Sequence, residues 1–166
     1  MGSTPHRPEP AQRRRSNAQN RPKAAPNARP PRQSRTALTG HRGDVVVMFA
    51  DSPLIETATI MRLRAALDAG AHVAVLAFEP ADPSGYGRLI ADPAGRITAI
   101  REHKDASEAE RKIGLCAAGA MAFRVPSLVD LLGRIGKANA SGEYYLTDVA
   151  VLAAGDGLTV KPVISI

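Results

Sequence analysis

Residues 44–78, "DVVVMFADSPLIETATIMRLRAALDAGAHVAVLAF", decide the fold of this chain. They open on the apolar run 44–51, which is typical of a strand covered on both faces. Residues 57–70 then repeat apolar side chains at helical spacing, and Gly70 is placed to end that helix. A second buried strand is predicted over 72–78. Strand, helix and strand in this order predict a βαβ unit with parallel strands.

The rest of the chain extends this unit into an α/β domain predicted over residues 41–166. Two short apolar runs flank Pro93-Ala94-Gly95, which predicts a β-hairpin inserted at an edge of the sheet. Ser107 and Glu110 have the spacing of a capping box, so a short helix should start there. Further strands are predicted over 118–125 and 159–166, and further helices over 126–136 and 144–157. We therefore expect a mostly parallel sheet with helices on both faces.

The net positive charge of the chain comes from residues 1–40, which hold nine Lys or Arg, one acidic residue and seven of the 13 prolines. The remainder holds 13 basic and 15 acidic residues, so it does not share the basic character. A segment this polar and proline-rich buries too little apolar surface to offset the entropy of ordering. We expect a disordered, solvated tail. A nucleic-acid-binding arm is the alternative, but nucleic acid is an unlikely partner, since aromatic residues that would stack on bases are lacking.

The sequence carries no sign of a membrane or secretory protein. It has no apolar signal-peptide region and no run near the roughly 18 apolar residues of a membrane span. The single cysteine, Cys116, lies in an apolar run and rules out an intramolecular disulfide. We expect a cytoplasmic protein that does not bind membranes.

Three positions have the residue types of a ligand site, although each has an ordinary structural explanation. Asp51 follows the first strand, where a carboxylate can bind a divalent cation such as Mg²⁺ or can cap the following turn. Gly87, between Tyr86 and Arg88, either lets a ligand approach the backbone closely or forms a plain turn. Glu102 either accepts hydrogen bonds from sugar hydroxyls or belongs to a solvated strand end.

Four motifs taken in order resemble one enzyme family. "GDVVVMFADSPLI", "DPSGYGRLI", "REHKDASEAER" and "ASGEYYLTDVAVLA" are similar to the middle of the uridyltransferase (pyrophosphorylase) domain of the bifunctional N-acetylglucosamine-1-phosphate uridyltransferase and glucosamine-1-phosphate acetyltransferase. The resemblance covers residues 43 to about 163, nearly all of the predicted domain. It implies a Rossmann-like nucleotidyltransferase fold, the fold of nucleotide-diphospho-sugar transferases, in an incomplete form.

The resemblance also implies an activity and a set of site residues. The family makes UDP-N-acetylglucosamine and pyrophosphate from UTP and N-acetylglucosamine 1-phosphate with Mg²⁺, and this chemistry depends on positioning and electrostatics. Phe49, Ala50 and Asp51 match the family's aromatic-Gly-Asp segment, with Asp51 as a metal ligand. Gly87 matches a glycine that contacts the sugar nucleotide, and Glu102 matches a glutamate that binds the sugar.

The chain departs from the family pattern at both ends and at one internal position. The glycine-rich loop that wraps the UTP phosphates has no match in residues 1–43, and Ile166 precedes the family's second metal-binding asparagine and its acetyltransferase. Ala117 stands where the family has a ligand-binding asparagine, and its side chain can neither donate nor accept a hydrogen bond. The family's glycine-rich loop supplies electrostatic stabilisation on which the rate of phosphoryl transfer depends. Because this loop has no match here, we expect little or no activity from this chain alone. A non-catalytic module that binds a sugar nucleotide or a partner is the alternative.

Overall fold

Six strands and four helices lie wholly within residues 36–50, 52 and 54–165, the part of the chain that the computed structural model describes. The strands are β1 (Asp44–Met48), β2 (Val73–Phe78), β3 (Arg88–Ala91), β4 (Ile97–Arg101), β5 (Cys116–Arg124) and β6 (Val160–Ile164). The helices are α1 (Thr57–Asp68), α2 (Glu108–Arg111), α3 (Val125–Leu132) and α4 (Asp148–Gly155). Nearly all of the predicted tail, residues 1–35, lies outside the described residues, so its disorder stays a prediction.

The six strands form one sheet in the order β4-β3-β5-β2-β6, with β1 pairing to β5 beside this row. The prediction of a mostly parallel sheet is wrong. Among the strands described, only β2 and β6 pair in parallel, whereas the pairs β1–β5, β2–β5, β3–β4 and β3–β5 are antiparallel. The α/β class itself is confirmed, because strands and helices alternate along much of the chain.

The position of β5 explains why the sheet is antiparallel although its first unit is strand, helix and strand. Phe123 of β5 is opposite Val45 of β1 on one side and opposite Val73 of β2 on the other. Strands β1 and β2 therefore run in the same direction, as predicted, but they are not neighbours. A strand that arrives 38 residues after β2 ends separates them, and hydrophobic periodicity carries no information about such an insertion.

Helices cover both faces of the sheet, as predicted. Side chains along β2 alternate between the faces. Val73 and Val75 belong to a buried cluster that includes residues of α3 and α4, among them Val149. Leu76 belongs to a second cluster that includes Leu63 of α1. Each face of β2 is therefore buried under a different helix layer, which makes this strand the centre of the fold.

The hairpin and the capping box are both confirmed. β3 and β4 pair in antiparallel fashion at one end of the sheet, and Gly95 takes a positive φ of 78° in the turn between them. Ser107 Oγ accepts from the Glu110 N–H at 3.2 Å, and a Glu110 carboxylate oxygen accepts from the Ser107 N–H at 2.8 Å. These local motifs formed as predicted because short-range contacts specify them.

One helix begins later than predicted. α4 starts at Asp148 rather than at Tyr144, so the segment before it is a loop. That loop is fixed by side-chain contacts, since Asn139 Oδ1 accepts from the Glu143 N–H at 3.1 Å and Thr147 Oγ1 donates to Glu102 at 2.8 Å. None of the helices among residues 36–50, 52 and 54–165 has the length and apolar character needed to cross a membrane.

Candidate functional site

A cleft of about 600 Å³ opens at the end of the sheet where β1 and β2 terminate. Its walls come from segments far apart in sequence: Phe49 and Ser52 after β1, Phe78 at the end of β2, residues 85–87 before β3, Glu102 after β4, residues 117–119 of β5, and Thr147 before α4. The carboxyl ends of strands are where α/β sheets hold ligands. The cleft is therefore a candidate binding site on position alone.

Gly87 and Glu102 face one another in this cleft. Gly87 is buried, and a Cβ atom placed on it would lie 3.4 and 3.5 Å from the two carboxylate oxygens of Glu102 and 3.2 Å from Ile100 Cγ2. Its φ angle is not positive. A side chain at this position would therefore crowd the Glu102 carboxylate, while close approach of a ligand to this glycine stays a prediction.

Thr147 holds the Glu102 carboxylate in place. The buried Thr147 donates its hydroxyl to Glu102 Oε1 at 2.8 Å, which joins the end of β4 to the start of α4. Among the described residues Glu102 Oε2 has no hydrogen-bond partner. One oxygen is therefore used to orient the group, and none of the described residues occupies the other.

Two aromatic rings form another wall. The rings of Phe78 and Tyr86 pack edge to face, with centroids 4.9 Å apart and planes at 88°. Tyr86 remains 43% exposed, so one part of its ring faces solvent at the mouth of the cleft. Such a pair presents a rigid apolar surface beside the polar Gly87 and Glu102.

Gly119 shapes the floor of the cleft and was not identified from sequence. It takes a positive φ of 77°, its carbonyl accepts from the Phe49 N–H at 2.8 Å, and a Cβ placed on it would collide with the Ser52 hydroxyl. A signal was available, because an isolated glycine within a strand pattern often marks a bulge or a close backbone approach. Thr147 was also missed, and only its contact with Glu102 reveals its role.

The structure brings together three of the five predicted site residues. Phe49, Gly87 and Glu102 all line the cleft. Ala50 is exposed and is not part of the lining. Asp51 lies outside the described residues, so its role as a metal ligand stays a prediction. Ala117, where the resemblance leads one to expect an asparagine, lines the cleft with a methyl group.

The described residues do not by themselves form a metal site. They contain no group of three or more His, Cys, Asp or Glu side chains arranged to hold a metal ion. Beside Thr147, burial raises the pKa of the Asp148 carboxyl, an effect that Arg101 opposes and Asp105 reinforces.

A second cleft of about 700 Å³ adjoins the first and shares Ser52, Phe78 and Ala118 with it. Although it is larger, it is the weaker candidate. Its Arg62 guanidinium already donates to the Ile164 carbonyl at 2.9 Å and to Thr59 Oγ1 at 3.1 Å. The first cleft combines a free carboxylate oxygen with close backbone and aromatic walls, which is what recognition of a polar ligand requires.

Comparison with curated proteins finds relatives that share one name. No protein-family model matches the chain. "Bifunctional protein GlmU" of Maricaulis maris is 52% identical over 132 residues, which are 80% of this chain and 29% of that protein. The protein of the same name from Xanthobacter autotrophicus is 52% identical over 126 residues, 76% of this chain and 28% of its own length. The chain thus spans less than a third of the length of these relatives.

Among solved structures, a crystal structure named as a glucose-1-phosphate thymidylyltransferase from Bacillus anthracis, in complex with a sucrose, superposes with a TM-score of 0.60. The match covers 81% of this chain and 52% of that one at 14% identity. At this identity the likeness concerns the fold alone, and it confirms the nucleotidyltransferase fold that the sequence motifs implied.

Proposed function

We propose that the cleft binds the sugar portion of UDP-N-acetylglucosamine. The premise is that this chain belongs to the GlmU family, as a homologue of part of its uridyltransferase region. The observation that carries the proposal is the pairing of Gly87 with a Glu102 carboxylate held by Thr147. A fixed carboxylate with one free oxygen is suited to accept hydrogen bonds from vicinal sugar hydroxyls.

Each wall of the cleft has a separate role in this proposal. Glu102 accepts from the sugar hydroxyls, and Gly87 allows the sugar to approach the backbone because no side chain intervenes. The apolar edge made by Phe78 and Tyr86 packs against one face of the ligand. Together these contacts position a sugar nucleotide, which is the main requirement of a reaction that transfers a nucleotidyl group between phosphates.

We place UTP, sugar 1-phosphate and Mg²⁺ in this proposal on the strength of the family relationship. In uridyl transfer an oxygen of the sugar phosphate attacks the α-phosphorus of UTP and pyrophosphate leaves. Asp51 is the residue that would hold Mg²⁺, which offsets the charge on the phosphates. We also propose a cytoplasmic location.

Calorimetric titration with UDP-N-acetylglucosamine, with and without Mg²⁺, tests the proposal. The wild-type chain should bind, and Glu102→Gln should bind about tenfold or more weakly, because the amide keeps the shape but loses the charge-assisted hydrogen bonds. Glu108→Gln is the matched control, since Glu108 is exposed on α2 and does not line the cleft. If UDP-N-acetylglucosamine gives no heat of binding with or without Mg²⁺, or if both variants lose affinity equally, sugar-nucleotide binding in this cleft is refuted.

Turnover is measured separately, as pyrophosphate released from UTP and N-acetylglucosamine 1-phosphate with Mg²⁺. We expect binding without release above background, as argued from sequence. Release at a substantial rate would contradict the expected inactivity while supporting the site. The two measurements therefore separate recognition of the sugar nucleotide from catalysis.

A further inference from the structure

Arg88, the first residue of β3, is the most unusual charged residue of the described chain. It is 1% exposed and heads the largest fully buried side chains. None of the ion pairs among residues 36–50, 52 and 54–165 includes it. Because a buried charge without a carboxylate partner is costly, a guanidinium at this position requires some other compensation.

Backbone carbonyls supply that compensation. Arg88 Nη1 donates to the carbonyl of Tyr86, and Nη2 donates to the carbonyl of Arg111 at 3.4 Å. The Nε–H has no acceptor in the part of the chain that the structure describes. The guanidinium thus connects the loop before β3, which forms one wall of the cleft, to the last residue of α2.

The contact with the Tyr86 carbonyl fixes a peptide group of the cleft wall. The same peptide unit carries the Gly87 N–H, and in a trans peptide the C=O and N–H point in opposite directions. With the carbonyl directed at Arg88, the Gly87 N–H is directed away from it. Among the described residues this N–H has no acceptor, whereas the Gly87 carbonyl accepts from the Ala117 N–H at 2.8 Å.

A backbone N–H without a protein acceptor is uncommon in a buried residue. Gly87 is buried, lines the cleft and lies beside the Glu102 carboxylate. Its carbonyl and the preceding carbonyl are both occupied, so the peptide has little freedom to rotate. The unpaired N–H is therefore held in a fixed direction, which is the condition for donating to a ligand without reorganisation.

We infer that Arg88 is a positioning residue that fixes the Tyr86–Gly87 peptide so that the Gly87 N–H donates to an oxygen of the bound ligand. The inference rests on the proposed function for the identity of that ligand, a sugar nucleotide. Arg88 itself does not line the cleft, so it acts only through the peptide. The hydrogen bonds from the buried guanidinium to the two carbonyls therefore orient a peptide of the cleft wall, in addition to stabilising the fold.

Carbonyl and amide chemical shifts of the ligand-free chain, labelled with ¹³C and ¹⁵N, test the positioning directly. In Arg88→Met the Tyr86 carbonyl loses its donor, so its ¹³C resonance and the Gly87 amide resonance should shift. Arg88→Lys, which keeps one donor group, should shift them less. Arg64→Met is the control, because Arg64 is exposed and lies on α1, and it should leave both signals unchanged.

Calorimetry with UDP-N-acetylglucosamine then measures the consequence for binding. We expect Arg88→Met to bind about tenfold more weakly, with Arg88→Lys between it and the wild type, since one oriented hydrogen bond is worth about that factor. In the wild type the Gly87 amide proton should move downfield on saturation. A purely structural role would lower the folded fraction without altering the affinity of the folded protein.

The outcomes separate the two claims. If the wild type binds no sugar nucleotide, the proposed function fails, and the ligand-free spectra still decide whether Arg88 fixes the peptide. Unchanged Tyr86 and Gly87 signals in both Arg88 variants, or wild-type binding that leaves the Gly87 amide unmoved, would overturn the inference. If Arg88→Met does not fold, Arg88→Lys and the wild-type amide titration decide between a positioning role and a structural one.

Discussion

Gly87 is the residue at which one methyl group would change the cleft most. Its missing side chain leaves room for the Glu102 carboxylate, which Thr147 holds from the other side. A Cβ atom on Gly87 would lie only 3.2 Å from Ile100 Cγ2, so that side chain would have to move by a few tenths of an ångström.

Gly87→Ala should therefore weaken sugar-nucleotide binding about tenfold or more and lower stability by about 1–3 kcal/mol, because the added Cβ crowds Ile100 and Glu102. Gly114→Ala is the matched control, since a Cβ there meets nothing within 4 Å. Calorimetry gives the affinity and chemical denaturation gives the stability. Equal affinities for the two variants would show that close approach at Gly87 is irrelevant to the ligand.

Ala117 offers a test in the opposite direction. Ala117→Asn places a side-chain amide in the cleft at the position where the family resemblance leads one to expect it. We expect binding roughly five- to tenfold tighter, the gain of one hydrogen bond. Ala117→Leu adds similar bulk without the amide and should weaken binding. If both substitutions weaken binding to the same extent, the amide makes no hydrogen bond with the ligand, and if neither changes binding, the cleft does not hold the ligand near this position.

At the scale of elements, sequence reasoning succeeded where contacts are local. The capping spacing of Ser107 and Glu110 predicted α2, and apolar spacing with a terminal glycine predicted α1. It did not predict β5 between β1 and β2, because strand order is set by contacts between distant segments. The contact of Thr147 with Glu102 was not predicted for the same reason, since the two residues are 45 positions apart in the chain.

The capping box of α2 gives a prediction about pH. The hydrogen bond from the Ser107 N–H lowers the pKa of Glu110 below its ordinary value of 4.5. Ionised Glu110 therefore favours the folded state, an effect that is complete above about pH 4.5 and is lost as the pH falls through the lowered pKa. Glu110→Gln should lower the melting temperature at neutral pH.

This difference should shrink in acid, when the wild-type carboxyl is itself protonated. Glu108→Gln, next to the box but with no capping contact, should show little difference at either pH. The measurement is a series of thermal melts from pH 7 to pH 3. The difference in melting temperature between Glu110→Gln and the wild type should therefore change with pH. A constant difference across this range would contradict the assignment of the pKa shift to the folded state.

At the scale of the whole molecule, β1 has one edge with which none of the other described strands pairs. Within the described residues β1 pairs with β5 alone, and Met48 at its end is 48% exposed. An apolar strand with one unpaired edge favours pairing with another strand.

We therefore expect the apparent mass in size-exclusion chromatography with light scattering to rise with concentration. Met48→Lys should lower the associated fraction, because a charge on an edge strand disfavours pairing. Met61→Lys is the control, since Met61 is similarly exposed, at 55%, but lies on α1. A monomer at every concentration, or an equal effect of both substitutions, would show that the β1 edge does not associate.

We propose that one cleft, built around Gly87 and Glu102, holds the sugar of a sugar nucleotide. A crystal structure of the chain grown with UDP-N-acetylglucosamine tests it most directly. We predict sugar hydroxyls within hydrogen-bond distance of Glu102 and a ligand oxygen accepting from the Gly87 N–H. Density for the sugar in the neighbouring cleft beside Arg62, or no density at saturating ligand, would show that the Gly87–Glu102 cleft does not bind the sugar.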